Sequence, residues 1–377
     1  MNKLWEKIKK FGRGAGKYLR LVLDYRGGRL RYKHLFLNIT SYCNSNCVYC
    51  EVKCLDHKND LEFERQKKLI KEAKDLGVTE VSFSGGEPFV YYKVWELIDY
   101  VLSLGLELNI MSNGLMINDF SDEKMAVLKK LKRIFISWDS ADPKIHNELR
   151  GGADFFEKSL AGVKKMLAAG VKVSFAGVLS NKNYAGLNDL IRFTHESGVD
   201  SIFFQPLHVW SNYDTVANSK DKEKLIPEQD DFKALRQSIK TATKLARQLG
   251  VDNNLPALSQ WVEKYYLYQI EANRQGRWIN NIMPSYKCLE IFTKIFIDCD
   301  GGVLPCAMLA PRGNLKDQSL ADSLMALDEI KKNILAGKFP KECDECSCQV
   351  ASNFTFSLLA SPVKNMKNLF IFIGDKF

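Results

Sequence analysis

No run in this 377-residue chain approaches the roughly 18 consecutive apolar residues that a helix needs to cross a bilayer, so no membrane-spanning helix is expected. The first residues lack the apolar core and small-residue cleavage site of a secretory signal. The expected compartment is therefore a reducing cytoplasm, not one where disulfides accumulate. Net charge is missing from most of the molecule. Residues 1–34 hold eleven basic side chains (Lys3, Lys7, Lys9, Lys10, Arg13, Lys17, Arg20, Arg26, Arg29, Arg31 and Lys33) against two acidic ones, Glu6 and Asp24, a balance of +9. The whole chain also carries +9, so everything after residue 34 is formally neutral. No basic surface with interleaved aromatics continues into the body, which speaks against a nucleic-acid partner. With 46% apolar and 26% charged residues, the composition is that of a globular protein with room for one large and one small domain.

The basic excess has a pattern. Leu4, Ile8, Phe11, Ala15, Tyr18, Leu19 and Val22 recur at three- and four-residue steps, on one face of a helix. Lys9, Lys10, Arg13, Lys17 and Arg20 fall on the opposite face, with Trp5 at the border. Residues 1–33 read as a basic amphipathic arm that lies on an anionic membrane surface, at about 1 kcal/mol per basic residue. A helix packed across the body with a solvated charged face is the alternative reading. Gly12, Gly14 and Gly16 weaken the helix in either case.

What the chain has in excess is cysteine. Ten are present, in two groups: Cys43, Cys47, Cys50 and Cys54, then Cys288, Cys299, Cys306, Cys343, Cys346 and Cys348. Cys43, Cys47 and Cys50 form a Cys-x3-Cys-x2-Cys run directly after the alternating stretch Leu35–Thr40, which reads as a β-strand. Three thiols on one short loop cannot pair off as disulfides with nothing left over. They can be three ligands of one metal centre, and iron–sulfur clusters take thiolates at such spacings. A zinc knuckle is the competing reading.

From residue 34 to residue 209 strand and helix signals alternate. Strand-like runs are Leu35–Thr40, Glu80–Ser84, Leu106–Met111, Arg133–Trp138, Val171–Val178 and Ser201–Gln205. Helix-like stretches follow the first five, at Leu61–Leu76, Tyr91–Leu104, Asp122–Lys132, Phe155–Ala169 and Leu187–Ser197. Six such units predict an α/β fold with a parallel sheet and right-handed crossovers, an open partial (β/α)6 barrel with its site at the strand C-terminal ends. Chemistry-bearing residues occupy those ends. Ser84-Gly85-Gly86-Glu87-Pro88 follows the second strand, with glycines that allow close approach to a ligand and an acceptor carboxylate. Ser112-Asn113-Gly114 ends the third, and Ser137-Trp138-Asp139, with His146 and Arg150 beyond, ends the fourth.

This combination resembles the radical S-adenosylmethionine (radical SAM) enzymes. The resemblance implies a [4Fe-4S] cluster held by Cys43, Cys47 and Cys50, with SAM chelating the fourth iron. It implies Tyr49 near the adenine and Gly85, Gly86 and Glu87 in the motif that receives the SAM amino group. It puts Ser137 and Asp139 on the ribose and Arg150 near the carboxylate, with one extra residue between Asp139 and His146 relative to the commonest form. His146 reads as structural, and Cys54 as a thiol outside the cluster.

After residue 209 the repeat stops. Residues 210–285 read as a helical linker or substrate region, with helices from Pro227 to about Leu249 and over Ala257–Arg274. Trp261, Tyr265, Tyr266, Tyr268 and Trp278 either line a pocket or pack a core. At Ile295–Cys306 a β-hairpin with an Asp-Gly turn is expected. Cys288-x12-Gly301-x4-Cys306, then Cys343-x2-Cys346-x-Cys348, resembles the SPASM domains of radical SAM enzymes in their shortened, twitch form. The resemblance implies a small C-terminal Cys-rich domain at 286–349 with an auxiliary [4Fe-4S] cluster on Cys288, Cys306, Cys343 and Cys346. Cys348 can replace Cys346, Cys299 is spare, and a structural zinc site is the alternative. Residues 350–377 form an apolar tail too short to span a membrane.

The resemblance implies an enzyme that reductively cleaves SAM to a 5′-deoxyadenosyl radical and abstracts hydrogen from a substrate C–H bond, fed by a reductant such as flavodoxin or ferredoxin. The arm and tail point to a lipid or lipid-linked saccharide substrate and a peripheral position on the cytoplasmic membrane face. Peptide modification and alcohol dehydrogenation are the alternatives within the family. A non-catalytic electron-transfer protein or a zinc-binding module are the alternatives outside it.

Overall fold

The computed structural model describes residues 20–50, 59–208, 222–259, 261–263, 265–267, 287–306 and 309–338, with residues 357, 361, 363, 364 and 366. Cys54, Cys343, Cys346, Cys348, Tyr268, Trp278, most of the arm and most of the tail lie outside them.

Strands β1 (His34–Thr40), β2 (Glu80–Gly85), β3 (Glu107–Ser112), β4 (Arg133–Ser137), β5 (Val173–Leu179) and β6 (Ser201–Pro206) are the six expected, each within two residues of its reading from sequence. They pair in parallel and in chain order, with helices Phe63–Asp75, Val94–Ser103, Asp122–Leu128, Phe155–Ala168 and Leu187–Glu196 as crossovers. Strand residues alternate between two environments, as the two-residue period of a strand dictates. Leu35, Leu37 and Ile39 of β1 are wholly buried against the helices, as are Val81 and Phe83 of β2 and Leu108 and Ile110 of β3. Full burial of each such side chain is worth about 1.5–3 kcal/mol. The intervening residues line the inner, concave face.

The sheet does not stop at six strands. The order is β7-β6-β5-β4-β3-β2-β1-β8-β9, with β7 at Asp252–Asn253, β8 at Lys294–Ile297 and β9 at Val303–Leu304. The expected hairpin is β8–β9, antiparallel, with Gly301 at φ 89° in its turn. Its first strand runs parallel to β1 and pairs with it from His34–Lys294 to Leu37–Ile297. The start of the C-terminal Cys-rich segment is thus an extension of the barrel sheet. Phe36 and Phe296 meet across this junction at 5.7 Å on the inner face.

The helix Phe232–Leu249 packs on Leu187–Glu196. Beyond it, Leu255–Leu258 is a short helix, and Trp261, Tyr265 and Tyr266 are buried, so these three are core rather than pocket lining. The Tyr265 and Tyr266 hydroxyls donate to the carbonyls of Leu207 and Leu179, pegging the ends of β6 and β5. At the opposite, amino-terminal end a cavity of about 460 Å³ is lined by Glu80, Lys132, Arg133 and Asp200 among others. Its charges close on one another: Lys132 pairs with Glu80 and Glu107, and Arg133 with Asp200. That end is a polar plug, and the chemistry-bearing residues lie at the other.

Among the described residues no helix is long and apolar enough to cross a membrane. Of the arm, residues 20–26 are helical. Tyr25 is buried edge-on against Phe292, while Arg20, Leu23 and Arg26 face outward. The described end of the arm is therefore docked on the body.

Candidate active site

The loop after β1 carries Cys43, Cys47 and Cys50, none of them in a disulfide. Two neighbouring segments hold it. From one side, the Gly86 N–H donates to the Thr40 carbonyl (2.7 Å) and the Glu87 N–H to the Tyr42 carbonyl (2.8 Å). A Cβ on Gly86 would collide with the Tyr42 carbonyl, and one on Gly85 with that of Thr40. Gly85 also sits at φ 115°, where only glycine is comfortable. The paired glycines are explained by this close approach of two backbones. From the other side, the end of the helix Pro143–Arg150 supplies carbonyls. Val48 N–H donates to Leu149 O (3.0 Å) and Ser45 Oγ to Arg150 O (2.9 Å). Gly151, at φ 73°, ends that helix against the Asn46 backbone.

Glu87 is already engaged within the protein. It is buried, and its carboxylate accepts from Phe89 N–H (3.1 Å), Ser112 Oγ (2.9 Å) and Asn113 N–H (2.7 Å). Burial raises its pKa to about 7, against the pull of these three donors. Its work here is to tie the ends of β2 and β3 together. The Asn113 side chain, freed to reach the loop, donates to Asn44 Oδ1 (2.6 Å) and lies 4.0 Å from Cys43 Sγ.

Asp139 is wholly buried and also engaged. Oδ1 accepts from Val178 N–H (2.8 Å) and from Arg150 Nη2 (2.8 Å). Oδ2 accepts from the Tyr49 hydroxyl and lies 2.7 Å from Arg150 Nε. The Arg150 guanidinium also stacks over the Tyr49 ring, 5.6 Å from its centroid. Burial drives the Tyr49 phenol well above its ordinary range, and the Asp139 carboxylate drives Arg150 upward against the opposing effect of its own burial. His146 is structural, as its sequence context suggests. It is buried, stacks on Trp138 at 4.7 Å, and offers Nδ1 to the Asp139 N–H.

Ser137 stands apart. It is half-buried on the inner face, and its hydroxyl has no partner among the described residues. Ser84 and Met111 lie on the same face of β2 and β3 one step below it, Met111 level with Phe135. Asn38 of β1 completes their layer toward β8 by donating to Asp298 Oδ1 (3.2 Å). Asn38, Asp298 and Asp60, which receives Thr40 Oγ1 and Ser41 N–H, belong to no motif and escaped the sequence reading. Strand parity is the signal that could have found Asn38, Ser84 and Met111. Cys299 is buried beside Asp298, with its thiol raised by burial, in keeping with a spare cysteine.

The residues fit the metal group their pattern implies. Three thiols stand on one eight-residue loop outside disulfides, Cys43 exposed, Cys47 buried and Cys50 half-buried. Polar groups stand at the sulfurs, Ser45 Oγ at 3.1 Å from Cys47 and Asn113 near Cys43, as sulfur ligands of a cluster favour. Among the described residues no three His, Cys, Asp or Glu side chains enclose a point for a single ion. Of the second set, Cys288 and Cys306 are half-buried beside the sheet extension and outside disulfides.

Comparison with known proteins agrees with this geometry. Residues 37–194 match the radical SAM superfamily, and residues 288–348 match the iron–sulfur cluster-binding SPASM domain. A probable GTP 3′,8-cyclase of Sulfurisphaera tokodaii is 28% identical over 179 residues, covering 46% of this chain and 56% of that protein. One from Methanothermobacter thermautotrophicus is 25% identical over 304 residues, covering 78% of this chain and 88% of that protein. Among solved structures, Streptococcus suis SuiB bound to precursor peptide SuiA superposes with a TM-score of 0.59 at 20% identity, covering 83% of this chain and 68% of that one.

Proposed function

The chain belongs to the radical SAM superfamily and carries a SPASM domain, and from that premise we propose that Cys43, Cys47 and Cys50 hold its SAM-binding [4Fe-4S] cluster above an inner-face polar layer that receives the substrate. When bound, cluster and SAM together supply a 5′-deoxyadenosyl radical that takes a hydrogen atom from a substrate C–H bond. The observation that carries the reading is the clamped loop. The backbones of Gly86–Glu87 and Leu149–Arg150 grip the cysteine loop from two sides and fix it over the carboxyl ends of β1–β4. Ser137 offers a hydroxyl toward the ribose, and Arg150 Nη1, without a partner among the described residues, offers a donor for the carboxylate. Tyr49 presents an aromatic ring held at both its face and its hydroxyl. Cys288, Cys306, Cys343 and Cys346 hold an auxiliary cluster.

For the substrate, the inner layer argues by charge. On β1–β4 and just past β8 it consists, among the described residues, of Asn38, Ser84, Met111, Ser137 and Asp298, without a cation of its own; the cations at that end are Arg150, held by Asp139, and the buried Lys222 close to His208 past β6. The inward cations Arg133 and Lys294 sit at the amino ends and are neutralised by Asp200 and Glu290. This layer suits a neutral, hydroxyl-bearing molecule. A nucleoside triphosphate, the substrate class in the names of the cyclase relatives, would need cationic partners there. Together with the basic arm, this favours a lipid or lipid-linked saccharide taken from a membrane surface. Vesicle flotation tests the membrane part. The full chain is expected to float with vesicles containing anionic lipid and to lose at least tenfold in binding when residues 1–19 are deleted, a cut that spares the docked Val22 and Tyr25. Equal binding by both forms would contradict it.

A further inference from the structure

We propose that Asp139 is a positioning residue: it makes no contact with SAM and instead aims Arg150 and Tyr49, locking the cysteine loop to the sheet. This rests on the SAM site proposed above and departs from the ribose-binding role that the family resemblance gives this aspartate.

The case begins with saturation. Every polar atom of Asp139 has a protein partner. Oδ1 takes Val178 N–H and Arg150 Nη2, and Oδ2 takes the Tyr49 hydroxyl and faces Arg150 Nε. The backbone N–H reaches His146 Nδ1 at 3.3 Å, and the carbonyl accepts from Asn183 Nδ2 at 2.9 Å. A residue with no exposed surface and no unpaired atom has nothing left to offer a ribose unless an existing partner is released. Releasing one would strand Arg150 or Tyr49, both largely buried, at a cost that a neutral hydroxyl cannot return.

The partners come from three separate parts of the chain. Tyr49 lies between Cys47 and Cys50. Arg150 ends the helix whose last two carbonyls take Val48 N–H and Ser45 Oγ. Val178 lies near the carboxyl end of β5. One buried carboxylate therefore joins the cysteine loop, the helix end and the sheet. It takes a hydrogen bond from Nη2 and faces Nε at 2.7 Å as an ion pair without hydrogen-bond geometry, leaving Nη1 and so limiting the direction in which Arg150 can donate. It also fixes the Tyr49 ring by its hydroxyl. Ser137, the last residue of β4 two positions before Asp139 and with no hydroxyl partner among the described residues, is the residue we assign to the ribose.

A double-mutant cycle separates indirect from direct action. SAM dissociation constants would be measured by equilibrium dialysis on anaerobically reconstituted protein for the parent, Asp139→Asn, Arg150→Gln and the double variant. If Asp139 acts through Arg150, each single change weakens SAM at least tenfold and the double variant binds within about twofold of Arg150→Gln alone. If the losses multiply, Asp139 touches SAM itself and the proposal is overturned. The same four proteins, cluster-free, give a thermal-unfolding cycle that needs no SAM. A drop in Tm for the double variant smaller than the sum of the singles supports the lock, and additive drops contradict it even if the protein binds no SAM. Where Asp139→Asn does not accumulate folded, Asp139→Glu takes its place in both cycles, with the same two outcomes.

Discussion

Gly86 has room for a hydrogen and nothing larger, because the Tyr42 carbonyl of the cysteine loop lies where a side chain would begin. Gly86→Ala must push one backbone off the other, and such overpacking typically costs about 1–3 kcal/mol. The loss is expected in urea unfolding, together with reduced iron retention after reconstitution. Unchanged iron with unchanged stability would mean that the close approach does not hold the loop. His146 makes a second prediction. Burial holds its imidazole near a pKa of about 3, against an ordinary value of 6.5. Between those values the unfolded chain takes up a proton that the folded chain refuses. This contribution to stability is therefore whole above pH 6.5 and falls as pH drops through that window. The difference in unfolding free energy between pH 7 and pH 5 should be smaller in His146→Phe than in the parent protein.

At the scale of elements, the strands were legible because alternation of apolar and polar residues has one structural meaning when helices cover one face. Leu35, Leu37 and Ile39 alternate with Phe36 and Asn38, and that pattern alone places the sheet. The glycines and cysteines were equally legible as residue types that few other structures require. The direction of side chains at the strand ends was not. Glu87 and Asp139 read as acceptors in their motifs, and both take donors from distant segments, Ser112 and Asn113 for Glu87 and Tyr49 and Val178 for Asp139, which no local pattern encodes. The same reason hid the pairing of β8 with β1, which joins residues some 260 apart. That pairing carries a prediction. A fragment ending at residue 285 would leave the β1 edge bare and the core space that Ile295 and Ile297 occupy empty. It is expected to aggregate or to melt without a cooperative transition. A cooperative Tm equal to that of the full chain would show that the barrel and the C-terminal segment are independent.

For the molecule as a whole, the two ends of the barrel have been given opposite tasks. The amino-terminal end is closed by paired charges, Lys132 with Glu80 and Arg133 with Asp200. The carboxyl-terminal end carries the cysteine loop, the backbone clamps on either side of it and a floor that includes Asn38, Ser84, Met111, Ser137 and Asp298. The sheet extension brings Cys288 and Cys306 to the edge beside β1, so two of the cysteines proposed for the auxiliary cluster flank the same sheet that carries the loop of Cys43, Cys47 and Cys50. The measurement that tests this account most directly is the formation of 5′-deoxyadenosine by anaerobically reconstituted protein given dithionite and SAM. It would be run beside the triple variant Cys43→Ala, Cys47→Ala, Cys50→Ala, with iron and sulfide counted in both. The account predicts roughly eight irons per parent chain, from two four-iron clusters, about half that in the variant, and nucleoside from the parent alone. Nucleoside from both proteins, or clusters in the parent with SAM left intact, would contradict it.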